Sequence, residues 1–149
     1  EEPKSRKIAK NIVEYRKNKK IETTLELSEI IIKSIGKSMK KHPAKRTFQA
    51  IRIEVNQELD ALKEMLMQSS NVLKKDGRLV IISYHSLEDR LVKKFLKNGM
   101  FEGEPERDVY GNYQKVFELP YRKAIVPTEE EIEDNSRARS AKMRVGIKL

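Results

Sequence analysis

Cysteine is absent from all 149 residues. That excludes a disulfide framework, thiolate zinc fingers and cysteine nucleophiles. Two histidines without cysteine leave zinc only to carboxylate ligands, and no spacing of that kind occurs. No metal is expected. The six glycines are scattered singly, so there is no Gly-rich phosphate loop. Apolar runs are short as well, the longest being Leu79 to Ile82, and nothing can cross a bilayer as a helix. The opening Glu1-Glu2-Pro3-Lys4 is followed by no apolar stretch, which argues against a secretory signal. A soluble, cytoplasmic protein without membrane or disulfide partners is the expectation. Glu1 in place of Met points to a processed or excised chain.

What remains is charge. Hydrophobic residues make up 38% and charged ones 37%, enough apolar content for the core of one domain. The net charge is +9, but residues 1–46 hold 14 basic and 6 acidic side chains, so nearly all the excess lies in the first third. Such asymmetry fits a polyanion-facing segment joined to a neutral globular part. A Lys-rich solvated surface is the plainer alternative.

Periodicity divides the chain into elements. Ile8, Ile12 and Tyr15 predict a short amphipathic helix over 5–17. Thr23-x-x-Glu26 has capping-box spacing and opens a second helix with Leu27, Ile30, Ile31 and Ile35 on its apolar face, stopped at Gly36. A basic connector, Lys37 to Arg46, follows. Phe48, Ile51, Val55, Leu59, Leu62, Leu66 and Leu73 then keep one stripe, which predicts a single helix of about seven turns from Thr47 to Val72. Asp76-Gly77 marks a turn, and Arg78 to Tyr84 reads as a buried, parallel-type strand because it is apolar on both faces. Ser86-x-x-Asp89 reads as the cap of the next helix. Residues 98–114 read as loop, Lys115 to Leu119 as a strand, Pro127 to Asn135 as a short acidic helix and Ala141 to Leu149 as a final strand. The class is α/β.

The strand's carboxyl end, Ser83-Tyr84-His85-Ser86-Leu87-Glu88-Asp89-Arg90, carries the densest chemistry. Ligands in open α/β sheets bind outside such ends, and helix N-terminal amides nearby receive anions. A hydrolase is disfavoured, because a nucleophile elbow needs glycines flanking the turn. On residue types alone the simpler reading is structural: Ser86 and Asp89 cap, and His85 satisfies a buried backbone group.

Three stretches shift that balance. The run from Lys41 to Leu59, including His42-Pro43-Ala44-Lys45-Arg46-Thr47-Phe48-Gln49-Ala50, closely resembles a signature of the MraW/RsmH methyltransferase family. So does Leu73 to Arg90, and so does Asn135-Ser136-Arg137-Ala138-Arg139-Ser140-Ala141-Lys142-Met143-Arg144-Val145. Ser5-Arg6-Lys7-Ile8-Ala9 and Thr23 to Leu27 fit too, and the matches keep family order across nearly the whole chain. Departures are mild: Lys75-Asp76-Gly77 stands where the family has Pro-Gly-Gly, and Tyr84 where Phe is usual.

The resemblance implies S-adenosylmethionine-dependent methylation of a cytidine N4 in small-subunit ribosomal RNA. It also implies that the family's first, nucleotide-binding half has no counterpart here. The chain would then be the C-terminal half of a Rossmann-like class I methyltransferase sheet, preceded by part of an inserted all-helical domain. Residues 1–45 would end that substrate-recognition domain, and 46–149 would supply the C-terminal part of the catalytic domain. S-adenosylmethionine would be bound mainly by the missing half, leaving this fragment inactive alone. Ser83 and His85 would position the target base, and Lys40, Lys41, Lys45, Arg46, Arg52, Arg137 and Arg139 would hold RNA. For the arginines, pairing with the acidic stretch Glu129–Glu133 is an equal alternative. The competing function is a stand-alone RNA-binding module without catalysis. That module predicts a self-sufficient core, whereas a half-enzyme predicts an exposed apolar sheet edge.

Overall fold

The computed structural model describes residues 2–36 and 42–149. Lys40 and Lys41 therefore lie outside the described residues. The chain divides into two compact units, Glu1–Glu58 and Leu59–Leu149.

The first unit is helical. Ile8 and Ile12 of α1 (Ser5–Asn18) pack with Leu27, Ile31 and Ile35 of α2 (Thr24–Ile35), and with Ala44 and Phe48 at the start of α3 (Lys45–Asn56). The predicted capping box is present: Thr23 accepts from the Glu26 amide, and the Glu26 carboxylate returns to the Thr23 amide. Inside, the buried Ser34 hydroxyl donates to the Ile30 carbonyl at 2.7 Å and accepts from Asn11 Nδ2 at 2.8 Å. The polar tie between α1 and α2 is thus satisfied at both ends.

The predicted seven-turn helix is two helices. Gln57 takes a left-handed conformation (φ +50°) and separates α3 from α4 (Glu58–Val72). Arg52 and Asn56 both bond Glu58 across the break, Arg52 through two bonds of 2.8 and 3.0 Å. The apolar stripe does not serve one core. Phe48 belongs to the first unit's core and Leu62 and Leu66 to the second's, while Val55 is 75% exposed. A stripe count registers spacing and is blind to a single left-handed residue.

The second unit layers helices on a three-stranded sheet. β1 (Arg78–Ser83) leads into α5 (Ser86–Asn98), and β2 (Phe117–Glu118), α6 (Glu129–Asp134), a 3-10 helix (Ser136–Ser140) and β3 (Lys142–Lys148) follow. Strand order is β1-β3-β2, antiparallel throughout, with Arg78 opposite Ile147 and Ser83 opposite Lys142. The observed partner of β1 is therefore an antiparallel strand, not the parallel one its composition predicted. Its burial alternates too: Leu79 and Ile81 join the core formed by Leu66, Val92, Phe95, Leu96 and Phe117, whereas Val80 and Ile82 are 52% and 54% exposed. Among the described residues the second edge of β1 has no strand beside it.

Close approach explains two glycines. A Cβ on Gly146 of β3 would stand 2.6 Å from Leu96 Cδ2, so glycine lets α5 lie on the sheet. A Cβ on Gly77 would stand 2.8 Å from the Lys74 carbonyl oxygen, while the left-handed position of that turn belongs to Asp76 (φ +65°). No helix among the described residues is long and apolar enough to cross a membrane.

Candidate functional site at the carboxyl end of the first strand

β1 ends at Ser83, and the chain turns at once into α5. The cap is one residue earlier than Ser86. His85 is the N-cap: its backbone is extended (φ −142°, ψ +164°), and Nδ1 accepts from the Glu88 amide at 3.4 Å. The Glu88 carboxylate reaches back to the amides of Tyr84 (3.0 Å) and His85 (3.3 Å). This is a capping box with imidazole in the place of the usual hydroxyl. It has a chemical consequence. The Tyr84, His85 and Glu88 amides are thus already taken by side chains of the same turn, which leaves this helix start fewer donors for an anion.

It also fixes the ring. With Nδ1 accepting, a neutral His85 carries its proton on Nε2. Nε2 is buried, lies 3.3 Å from Glu88 Oε1 outside hydrogen-bond alignment, and has no hydrogen-bond partner among the described residues. An unused donor on a clamped ring stands at the sheet end.

Ser83 is 4% exposed and shares the inward face of Leu79 and Ile81. Its hydroxyl donates to the Lys142 carbonyl at 3.4 Å, tying β1 to the start of β3. Asp89, expected in the cap, has another task. It is 8% exposed and receives Arg144 Nε at 2.7 Å and Nη2 at 3.2 Å, with Lys142 Nζ at 3.5 Å. Burial pushes the Asp89 carboxyl up, but the Arg144 bonds and charge, with Lys142, outweigh it and hold it below the ordinary carboxylate value. The pair fastens α5 to β3. Sequence reasoning missed it, although the signal was present: Met143, Val145 and Ile147 claim one face of β3, which turns Arg144 to the other.

Arg137 and Arg139 flank the buried Ala138 on the 3-10 helix and are exposed. The register sets Lys142 beside Ser83, and the 3-10 helix ends just before Lys142, so both arginines sit at the His85 end of the sheet. No ion pair joins them to Glu129–Glu133 among the described residues. Lys45, Arg46 and Arg52 belong to α3 in the first unit. Lys45 is exposed, Arg46 lies 3.8 Å from Glu2, and Arg52 is held by Glu58.

The arrangement defines an α/β protein with a positioned imidazole and flanking arginines at a strand's carboxyl end. The chain belongs to the MraW methylase family, whose sequence model matches residues 1–149. It is 54% identical over 145 residues to a ribosomal RNA small subunit methyltransferase H of Flavobacterium johnsoniae, covering 95% of this chain and 47% of that protein. Proteins of the same name from Parabacteroides distasonis (53%, covering 97% and 48%) and Bacteroides fragilis strain YCH46 (52%, covering 97% and 47%) are similar. The chain spans about half the length of these relatives.

Proposed function

We propose that this chain is the part of a cytoplasmic ribosomal RNA methyltransferase that positions the target cytidine, whose N4 receives a methyl group from S-adenosylmethionine. The observation that carries the reading is the family match across residues 1–149. The geometry at β1 supports it. A cytosine presented to a methyl donor must leave its stack and be held by its edge. The Nε2–H of His85, without a hydrogen-bond partner among the described residues and covered in this structure, suits an acceptor on that edge once the ring is uncovered, and Arg137 and Arg139 suit the flanking phosphates. Ser83 acts behind them by holding Lys142 and the strand end in place.

The residues present do not suit S-adenosylmethionine itself. The β1-to-α5 turn already uses its Tyr84, His85 and Glu88 amides in its own capping box, and the sequence has no Gly-rich loop. Cofactor contacts are assigned to the part of the family's length that this chain does not span. The unpaired β1 edge supports a sheet continued by further strands, and exposed Val80 and Ile82 support a layer packed on that face; both weigh against a self-sufficient RNA-binding module. On the same reading the first unit belongs to the inserted helical domain, and Lys40, Lys41, Lys45, Arg46 and Arg52 are its candidate RNA contacts.

The full-length protein, given S-adenosylmethionine labelled in its methyl group and small ribosomal subunits, is expected to label a cytidine N4. Label on another atom, or none, removes the reading. His85→Ala should lower the single-turnover rate about 10²-fold and stability by about 1 kcal/mol through the lost cap. His85→Asn retains a capping oxygen, so the rate should fall while the melting temperature holds. A near-normal rate per folded His85→Asn molecule would return His85 to a purely structural role.

A further inference from the structure

We infer that a second surface of this chain, a cleft between α5 and residues 113–122, holds single-stranded RNA. It encloses about 730 Å³, within the range of binding clefts. Lys93 and Lys97, one turn apart on α5, form one wall, and Lys115 and Arg122 line the other. All four are exposed, none pairs with a carboxylate among the described residues, and Glu118 is the single acidic side chain on the lining, beside Leu149. The charge therefore complements a polyanion. Two tyrosines decide which one. Tyr121 is 55% exposed on the lining, offering an open ring face. Tyr113 is fixed: its hydroxyl donates to the Lys97 carbonyl at 2.9 Å, and Arg107 and Lys115 lie 5.2 and 5.8 Å from its ring centroid. An open ring beside a fixed one, both set among cations, suits unstacked bases on a phosphate backbone, whereas an acidic peptide needs only the charge. These cations escape a count along the sequence, because the fold draws them from separate segments whose net charge is small.

The inference rests on RNA being the partner but not on the chemistry at His85. Anisotropy of a short fluorescein-labelled single-stranded RNA, titrated with the 149-residue chain, tests it. The double variant Lys97→Glu, Lys115→Glu should bind at least about tenfold more weakly, with the salt slope reduced by about 1.4, or roughly 0.7 per lost phosphate contact. Tyr121→Ala should weaken binding about tenfold, while Tyr121→Phe, which keeps the stacking ring, should match wild type. Polyglutamate should be indifferent to Tyr121. All these positions are exposed, and circular dichroism checks that each variant is folded. Wild-type affinity in the cleft variants overturns the inference, as does equal weakening of RNA and polyglutamate by the lysine variant with Tyr121→Ala silent. Loss of RNA binding only in Arg137→Glu, Arg139→Glu overturns the cleft and leaves the proposed function standing. No RNA binding at low salt overturns the cleft, whereas absence of methyl transfer by the full-length protein is what defeats the proposed function.

Discussion

Asp89 and Arg144 meet because two elements leave them no other place. Asp89 lies in the first turn of α5 on its buried side, and Arg144 faces the same interior from β3. Neither can return to water without lifting the helix from the strand. Asp89→Asn keeps the shape but removes the charge, leaving the partly buried Arg144 beside a weaker acceptor. Stability at pH 7 should fall by about 3 kcal/mol, the low end for breaking a buried pair, since Lys142 and some water remain near. The acid side gives a second check. The folded carboxyl sits below its ordinary value, so its contribution is complete above about pH 4 and is lost as pH falls through the folded value. Urea unfolding at pH 7 and pH 3 should show the gap between wild type and Asp89→Asn narrowing on acidification. An unchanged gap would mean that the carboxylate charge contributes nothing.

Elements were legible where a local rule governs them. The Thr23–Glu26 box, the β1 and β3 strands, and Thr128 capping α6 each follow from spacing and residue type over a few positions. The left-handed Gln57, the two-residue length of β2 and the antiparallel partner of β1 depend on packing between distant segments. The site shows the same division. Sequence placed His85 at the strand end, but a histidine in the role usually filled by Ser, Thr or Asp hid which residue begins α5. Gly146 tests how tightly helix and sheet meet. Gly146→Ala drives a methyl into Leu96 and Phe117, and should cost about 1–3 kcal/mol by overpacking. An unaltered melting temperature would show that Leu96 yields freely.

At the scale of the molecule, each unit has its own small core, centred on Ile8, Ile31 and Ala44 in one and on Leu66, Phe95 and Phe117 in the other. Neither provides the Gly-rich strand end from which a nucleotide cofactor is held. Calorimetric titration of S-adenosylmethionine into the 149-residue chain should give no saturable heat at micromolar concentrations. Micromolar binding would show that cofactor contacts lie within these residues, and the assignment of that role to the rest of the family's length would fall.

The middle strand of the sheet is the last one in the chain. β3 joins β1 and β2, and its bond to Ser83 closes a loop of 59 residues. During synthesis, β1 emerges with Leu79 and Ile81 ready to pack but without its partner, and it waits while every later residue up to Lys148 is added. Neither of the two pairings described, β1 with β3 and β2 with β3, can form before β3 is made. Its folding is therefore late and governed by a distant contact, which slows assembly. A ribosome stalled anywhere between α5 and β3 would carry β1 with its β3-side edge unpaired, open to chaperones and proteases for the whole of that delay.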